Sequence, residues 1–474
     1  MRARLIRCGM AALIFGLALA GTLSATTYYV APSGLDSRTG SGDWTNAVLT
    51  ISNAVSKAGN NDTILVSNGV YVVTTQITVT ASLTIRGKTG NSADVTVNGN
   101  YPTTTNRCFF INHYNALLAD MTITNGNSGT NVGGGIFLQT GTVSNCLITG
   151  NSAYKIFQDD CDGGGGIAVG GSVAYTGAVL NCQLVGNLSS NYGGGIGIKY
   201  GSWNISGCRI IGNTTKQLGG GLYTYMPSAN YSARISDCYI ASNASTNAGG
   251  GCYLTYGGII SNCTIEANSN TAGQPGGGVV LYNNGQSGPT IRNCLLVRNV
   301  IPNTGVAPYG GGLFIDGEHC KVSNCTIVSN LAKYGGGLGS RNEGAAGNLN
   351  KTSMVENCII WGNTTYGETT TNIYLKPPVY VTFTNCCFAP YVTNSYPTNS
   401  MATNSITRDP RLVSIAGGNY RLSNGSPCIN AGANQSWMDN TLDLDGRNRV
   451  DRYYRQVDMG AYEFVFHGTI ISVR

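Results

Sequence analysis

The sequence predicts an all-β solenoid, a parallel β-helix with three short strands in each coil, and two features support this prediction. The first is composition: 67 of the 474 residues are Gly and 50 are Asn, and both residues favour tight turns over helices. The second is an internal repeat of about 30 residues, a period that is typical of stacked repeat architectures.

The repeat consists of two motifs that alternate along the chain. One is a run of three glycines followed by an apolar residue, and the other has the pattern Cys-x-apolar-x-x-Asn. The glycine runs end at Gly135, Gly166, Gly195, Gly221, Gly251, Gly278, Gly312 and Gly337. The second motif begins at Cys146, Cys182, Cys208, Cys238, Cys263, Cys294, Cys325 and Cys358.

Both motifs have the periodicity of a strand with one buried face. After the triple Gly the first and third residues are mostly apolar, as in Ile196 and Ile198, whereas the second and fourth vary. Cys263 and Ile265 share a face in the same way. A third short apolar strand precedes each Cys, and Gly and Asn form the corners. Successive coils of such a solenoid stack about 4.8 Å apart.

Residues 1–25 have the pattern of a secretory signal peptide, with Arg2, Arg4 and Arg7 before a short apolar run. We therefore expect an exported protein that is secreted or associated with the cell surface and outer membrane. Removal of the peptide leaves 25 basic and 22 acidic residues, so the net charge falls from +6 to +3 and nucleic acid is not expected as a partner. We expect no transmembrane segment in the mature chain, because no other apolar run is long enough.

The remaining chain is expected to form one solenoid in three parts, and to be a monomer. Residues 26–61 are the N-terminal start and cap, in which a short helix from Ile51 to Ala58 covers the open end of the first coil. Residues 62–400 are the β-helix repeats. Residues 401–474 form a C-terminal capping segment.

The repeated Asn and Cys are expected to form columns, because each recurs once per coil. For Asn we expect a stacked ladder at a corner or in the interior. Fifteen Cys remain after removal of the signal peptide, and this odd number cannot all pair within the chain. We favour reduced, buried Cys that act as small apolar side chains. Disulfides between neighbouring coils and metal binding are the alternatives.

The alternation of Gly-Gly-Gly-Ile with Ile-x-x-Asn resembles the repeats of polymorphic outer membrane proteins and, more broadly, the right-handed parallel β-helix (pectate-lyase-like) superfamily. Residues 28–34, Tyr-Tyr-Val-Ala-Pro-Ser-Gly, resemble the usual start of such exported helices. The segments 409–412, 419–422, 426–432 and 457–463 are similar to the choice-of-anchor Q domain of surface proteins. The resemblance implies a right-handed coil and export, within a superfamily that includes lyases and hydrolases of acidic polysaccharides.

Two acidic stretches are candidates for calcium, which is bound by carboxylate oxygens. Asp159, Asp160 and Asp162 place three carboxylates within four residues, and a solvated loop is the alternative for them. The stretch from Asp443 to Gly446 resembles half of a calcium loop but lacks the distal Glu. For this second stretch we favour a plain turn.

The outward positions of the strand that follows the triple Gly predict a ligand-binding face. Aromatic rings with a few charges along one face suit a glycan chain, because sugar faces stack on tyrosine. The alternatives are ring stacking that only stiffens the sheet, or a loop that covers the rings. The residues predicted to bind the ligand are Tyr223, Tyr225, Tyr253, Tyr282, Phe314, Asp316 and Arg341.

The sequence favours a non-catalytic module that binds a polysaccharide or another surface, with no residue assigned to catalysis. The alternative is a polysaccharide lyase or glycoside hydrolase acting on an acidic polysaccharide. An enzyme would require Asp159, Asp160 and Asp162 to converge with Lys199 or Arg341 in one groove. Asp316 and Arg341 each lie four residues after a triple Gly in successive repeats, so we expect them to be neighbours across two strands.

Overall fold

The computed structural model describes residues 25–154, 163–171, 175–228, 230–285, 287–305, 307–341, 352–366, 372–376, 381–389, 402–450 and 454–465. Within these residues the chain winds into a solenoid whose successive strands pair in parallel and in register. One antiparallel hairpin near the C-terminal end joins Leu412–Ser414 to Asn419–Leu422. The predicted parallel β-helix with three sheets is therefore confirmed.

Sheet A is the largest sheet and takes two strands from most coils, one after each triple Gly and one before each Cys. The two rows of strands belong to one sheet because the long strands Phe109–Ala119 and Ile136–Ser144 run through both. The other strands of sheet A are Thr27–Val30, Thr63–Val66, Ile77–Val79, Thr84–Gly87, Ile167–Gly170, Thr176–Leu180, Ile196–Lys199, Ser202–Ser206, Leu222–Tyr225, Ser232–Ser236, Cys252–Thr255, Ile259–Ser261, Val279–Asn283, Thr290–Arg292, Leu313–Gly317, Lys321–Ser323, Leu338–Arg341, Ser353–Glu356, Ile373–Leu375, Val381–Thr384 and Ala402–Thr403.

Sheet B contains the strand of each Cys motif, and sheet C contains two-residue strands that follow the motif's Asn. Sheet C adds a fourth strand to the three that the sequence predicts for each coil. The strands of sheet B are Gly69–Val72, Val95–Asn98, Thr122–Thr124, Leu147–Thr149, Gln183–Val185, Arg209–Ile211, Tyr239–Ala241, Thr264–Glu266, Leu295–Val297, Thr326–Val328, Ile359–Trp361 and Cys387–Phe388. Those of sheet C are Ser152–Ala153, Leu188–Ser189, Thr214–Thr215, Ala244–Ser245, Ser269–Asn270, Leu331–Ala332 and Thr364–Thr365.

The predicted N-terminal helix is present as α1, Ile51–Lys57, and it buries Ile51 and Ala54. The Thr50 hydroxyl caps it by accepting a hydrogen bond from the Asn53 N–H at 3.2 Å. Three short 3₁₀ turns, Trp44–Asn46, Ser92–Asp94 and Ser436–Met438, complete the helical structure of the described residues. None of these helices combines the length and apolar character needed to cross a membrane.

The interior of the solenoid is a single apolar core, and the repeated Cys contribute one side of it. Cys263 and Ile265 are both fully buried there, as the alternation in the sequence predicts. The Cys263 thiol donates to the Ser261 carbonyl at 3.1 Å. All 14 cysteines within the described residues are buried and carry free thiols.

The predicted Asn ladder runs through the interior beside this core. The Oδ1 atom of Asn268 accepts hydrogen bonds from both the backbone N–H and the Nδ2 group of Asn243, at 3.0 and 2.9 Å. Asn243 Nδ2 also donates to the Ile210 carbonyl of the preceding coil at 2.8 Å. The same pattern links Asn151, Asn187, Asn213, Asn243, Asn268, Asn299, Asn330, Asn363 and Asn372. Each buried amide is thereby satisfied by its neighbours.

The triple Gly is required by close approach of backbones at the corner before sheet A. Gly193 has a φ of +59°, which disfavours any residue with a side chain. A Cβ on Gly194 would lie 2.3 Å from the Gly220 carbonyl oxygen of the next coil, and one on Gly195 would lie 2.7 Å from that of Gly221. The glycines therefore allow successive corners to stack directly on one another.

The C-terminal segment (residues 402–450 and 454–465) begins as a further partial coil and then returns along the outside of sheet B. Ala402 and Thr403 pair with Phe383 and Thr384 at the end of the solenoid. Farther on, Tyr420, Ala461 and Tyr462 pack on the outward side chains of sheet B strands, including Leu295, Val297 and Val328. The region predicted to be a cap thus also covers one flank of the solenoid.

Candidate functional site

The outward column on sheet A follows the predicted register. Each residue four positions after a triple Gly pairs with its counterpart in the next coil. The column reads Lys199, Tyr225, Thr255, Tyr282, Asp316, Arg341. Asp316 and Arg341 are direct cross-strand partners, as predicted, and their side chains lie outside the apolar core of the solenoid.

The second outward column, two residues after each triple Gly, is more buried than the sequence suggests. Tyr223 is 3% exposed and Phe314 is fully buried. The residue before a glycine run folds over each of them: Tyr192 stacks on Tyr223 with ring centroids 4.6 Å apart, and Tyr309 stacks on Phe314 at 6.3 Å. The prediction that both rings are exposed is therefore wrong, because aromatic residues of the turns cover them.

The remaining rings join into one continuous patch on sheet A. Tyr225, Tyr253 and Tyr282 are half-buried, and their neighbours Tyr200 and Tyr256 extend the contacts between coils. Centroid separations along the chain of contacts lie between 4.6 and 6.4 Å. We call this patch the tyrosine surface, and its members are Tyr192, Tyr200, Tyr223, Tyr225, Tyr231, Tyr253, Tyr256 and Tyr282.

Asp316 and Arg341 border the tyrosine surface on its C-terminal side. Arg341 Nη2 lies 3.3 Å from Asp316 Oδ2, and the two side chains are 22% and 12% exposed. The Arg341 guanidinium also lies over the Phe314 ring, 5.5 Å from its centroid. Burial, together with the charge of Asp316, raises the pKa of Tyr253, so this phenol is neutral at physiological pH.

Lys199 borders the tyrosine surface on its N-terminal side, where its Nζ lies 5.2 Å from the centroid of the Tyr200 ring. The column therefore has a lysine at one end and the Asp316–Arg341 ion pair at the other, with aromatic rings and Thr255 between them. This arrangement can stack apolar faces of a ligand at its centre, and Lys199 can attract an anionic group at its N-terminal end.

Four members of the tyrosine surface were not predicted from the sequence: Tyr192, Tyr200, Tyr231 and Tyr256. Tyr200 and Tyr256 occupy the same position in two repeats, five residues after a triple Gly, with φ angles of +61° and +64°. That shared position was visible in the sequence. Tyr192 directly precedes a glycine run. Tyr231 lies in a turn that has no counterpart in the other repeats, so only its ring contact with Tyr200 places Tyr231 on this surface.

The predicted calcium ligands Asp159, Asp160 and Asp162 lie outside the described residues, so their convergence with Lys199 or Arg341 stays a prediction. No group of three or more His, Cys, Asp or Glu within the described part of the chain could hold a metal ion.

The Asp443 stretch is a turn, as predicted, because its carboxylate is used by the backbone. Oδ1 accepts from the N–H groups of Asp445 and Arg447 at 2.9 and 2.7 Å, and Oδ2 accepts from that of Glu463 at 2.7 Å. These bonds hold the turn in one conformation and attach it to Glu463, near the end of the described residues.

Comparison with known proteins identifies the repeat region. The family described as "Right handed beta helix region" matches residues 159–341. The matched stretch lies within the parallel β-helix described above. It carries the whole tyrosine surface and both members of the Asp316–Arg341 pair.

Solved structures similar to this β-helix include three proteins at low sequence identity. Pectate lyase Pel9A is 14% identical, with 93% of this chain and 97% of that chain covered and a TM-score of 0.43. A PL6 alginate lyase in complex with a trisaccharide is 13% identical, with coverages of 79% and 88% and a TM-score of 0.44. The pectin methylesterase from Aspergillus niger is 16% identical, with coverages of 68% and 87% and a TM-score of 0.33. No curated protein matches the sequence.

Proposed function

We propose that this β-helix is an exported, non-catalytic module that binds a polysaccharide chain along the tyrosine surface. The observation that supports this is the continuity of the rings across four successive strands of sheet A. Three strand intervals correspond to about 14 Å along the solenoid axis. A surface of this length suits several consecutive sugar units, not a single one.

The chemistry of tyrosine suits this role. The half-buried rings, such as Tyr225 and Tyr282, combine apolar surface for the C–H groups of a sugar with a polar phenol edge. The rings also hold each other in place through contacts between coils, so little conformational freedom is lost on binding. Lys199 at the N-terminal end favours a polysaccharide that carries carboxylate or sulfate groups, whereas Arg341 at the other end already pairs with Asp316.

Binding is tested by affinity measurements against neutral and acidic polysaccharides, including polygalacturonate, alginate and xylan. The double variant Tyr225→Ala/Tyr282→Ala removes two central, half-exposed rings, and we expect at least about tenfold weaker binding, or about 1.4 kcal/mol. The matched control is Tyr114→Ala, which removes a ring that is 70% exposed and lies outside the tyrosine surface. Wild-type affinity in the double variant would contradict the proposal.

The same incubations distinguish the enzyme alternative. A lyase or hydrolase would shorten the polysaccharide, and a lyase would in addition create unsaturated ends that absorb in the ultraviolet. If such products form and disappear in the triple variant Asp159→Asn/Asp160→Asn/Asp162→Asn, the chain is an enzyme and not a binding module. Calcium binding by these aspartates is measured separately as a rise in melting temperature that a chelator reverses.

Export is the second part of the proposal and rests on the signal-like residues 1–25 and on the resemblance to surface proteins. Expression of the full chain in a secreting host, followed by N-terminal sequencing, tests it. We expect the mature chain to begin near Thr26. Retention of Met1 in a protein that stays in the cytosol would refute export without affecting the binding proposal.

A further inference from the structure

Cys387 and Cys428 lie outside the repeated column of cysteines and share one small apolar cluster on the outer side of sheet B. Cys386 continues the column in the core, and because side chains alternate along a strand, Cys387 faces outward toward the C-terminal segment. Cys428 lies in that segment. Both are fully buried in one small apolar cluster, where they pack with Ile359, Leu422 and Met459. The two side chains therefore share one dry, apolar environment between sheet B and the C-terminal segment.

The geometry of this pair differs from that of the cysteine column. Column cysteines project in the same direction from adjacent parallel strands, so their separation is set by the strand spacing of about 4.8 Å. A disulfide requires Cβ atoms about 3.5–4.5 Å apart, which is closer than that spacing. Cys387 and Cys428 instead approach from opposite sides of a packing interface, and small shifts of the C-terminal segment can adjust their distance.

The backbone around the pair holds the two elements in position. The Cys428 carbonyl accepts a hydrogen bond from the Met459 N–H at 3.0 Å, and the Cys387 N–H donates to the Cys358 carbonyl of the preceding coil at 2.8 Å. The Cys387 thiol itself lies 3.3 Å from the Arg408 carbonyl, at the point where the chain turns back along sheet B. Each cysteine is therefore anchored in its own element.

We propose that Cys387 and Cys428 form a disulfide that fastens the C-terminal segment to the flank of the β-helix. This proposal is independent of the tyrosine surface. The oxidant is a disulfide of the exported compartment, for which oxidised glutathione is the probe. One protein thiolate attacks oxidised glutathione and releases one glutathione thiolate. The second protein thiolate attacks the mixed disulfide and releases the other, so two protein thiols become one disulfide and one oxidised glutathione becomes two reduced molecules.

The bond is expected to form while the C-terminal segment is still detached. The neighbouring Cys428 thiol and burial both raise the pKa of Cys387, so the docked Cys387 thiol is protonated and unreactive. Oxidised glutathione also cannot reach two fully buried sulfur atoms. Refolding in the presence of the oxidant should therefore yield the disulfide, whereas addition of the oxidant to folded, reduced protein should act far more slowly.

The test is refolding of the full chain with oxidised glutathione, followed by thiol counting in denaturant and peptide mapping by mass spectrometry. We expect two fewer thiols than in the reduced protein and a cross-link that contains Cys428. Because Cys386 and Cys387 are adjacent, variants identify the partner: the cross-link should survive in Cys386→Ala and be lost in Cys387→Ala. Cys263→Ala, from the column, is the control that leaves it intact.

A stability measurement provides a second readout. Wild type refolded with oxidised glutathione should melt at a higher temperature than wild type refolded in reductant, whereas the double variant Cys387→Ala/Cys428→Ala should melt at the same temperature after either refolding. An unchanged thiol count after oxidative refolding, or a cross-link between two column cysteines, would overturn the proposal.

Discussion

The outer faces of sheets A and B differ in their side chains and in what covers them. On sheet B the outward residues Leu295, Val297 and Val328 are aliphatic, and the C-terminal segment buries them. On sheet A the corresponding positions carry half-buried tyrosines that no other part of the described chain encloses fully, such as Tyr225 and Tyr282. Aliphatic side chains gain only by leaving water, whereas tyrosine combines an apolar face with a polar edge.

Sheet B is covered along only part of its length. Elsewhere its outward residues are of mixed character: Gln183 and Arg209 are exposed, and so are the aliphatic Val70 and Val72, at 62% and 56%. Exposure and contacts, and not residue type alone, therefore show which part of a face is covered. The half-buried rings Tyr225 and Tyr282 stay partly accessible, unlike the residues beneath the C-terminal segment.

The largest expected loss of stability comes from substitution of Arg449, which joins the C-terminal segment to the solenoid. This arginine is fully buried, lies 3.1 Å from Glu463, and donates to Asn293 of the solenoid and to the Asp458 and Gly460 carbonyls. Arg449→Ala should lower the free energy of unfolding by about 3–5 kcal/mol, because it leaves buried polar groups without a partner. Urea unfolding measures this, and Arg408→Ala, an exposed arginine of the same segment, should change it by less than about 0.5 kcal/mol.

A second prediction concerns the pH dependence of the free energy of unfolding, to which Glu463 beside Arg449 contributes. Burial raises the pKa of Glu463 from 4.5 to about 8, although Arg449 beside it acts in the opposite direction. The folded state thus holds this proton more tightly than the unfolded chain. The stabilisation is complete below pH 4.5 and is lost as pH rises toward 8, with a slope of up to about 1.4 kcal/mol per pH unit.

Urea unfolding at pH 5 and pH 8 tests this titration. The wild type should be less stable at the higher pH, and Glu463→Gln should remove most of the difference. Asp439→Asn, an exposed carboxylate of the same segment, should leave the difference unchanged. Equal pH dependence in wild type and Glu463→Gln would assign it to another group.

A direct comparison of the two faces follows from two truncations. Val328→Ala removes a fully buried side chain beneath the C-terminal segment and should cost about 1–3 kcal/mol. Tyr282→Ala removes a half-exposed ring and should cost about 1 kcal/mol or less. Thermal or chemical unfolding of both variants shows whether the tyrosines mainly stabilise the sheet or are available for a ligand. A larger loss in Tyr282→Ala would mean that the rings stabilise the sheet and are not reserved for a ligand.

The smallest expected effect concerns the Asp316–Arg341 pair beside the tyrosine surface. A double-mutant cycle with Asp316→Asn and Arg341→Gln should give a coupling energy below about 1 kcal/mol, because water still reaches the pair. Polysaccharide affinity in the two single variants adds a second readout. If Arg341 attracts anionic sugars, Arg341→Gln should weaken binding to alginate more than binding to xylan.

The register of the site was predictable because the triple Gly fixes the start of each strand in sheet A. Counting four residues from Gly312 and from Gly337 was enough to pair Asp316 with Arg341. The burial of Tyr223 and Phe314 was not predicted. Their covers, Tyr192 and Tyr309, each directly precede a glycine run, a shared position that the sequence displays, but the alternation along a strand assigns no direction to a side chain in the turn before it.

The position of the C-terminal segment depends on contacts that are distant in sequence. Arg449 reaches Asn293, and Cys428 reaches Cys387, across stretches with no shared repeat. The aliphatic residues Leu295, Val297 and Val328 lie on the covered outward face, but the exposed Val70 and Val72 lie on the same sheet, so residue type alone does not show which stretch is covered. It also does not identify the part of the chain that covers it.

The Asn ladder makes the solenoid a directional, one-dimensional polymer. Every side-chain carbonyl points to the coil before it, so each coil joins its neighbours through identical bonds and none has a unique partner. Length can therefore change in whole coils. Deletion of residues 214–243, one complete repeat, would place Asn213 against Asn268 and keep the remaining amides satisfied. The tyrosine surface would become one strand interval shorter. Affinities measured for a series of such chains would show how many sugar units the surface binds.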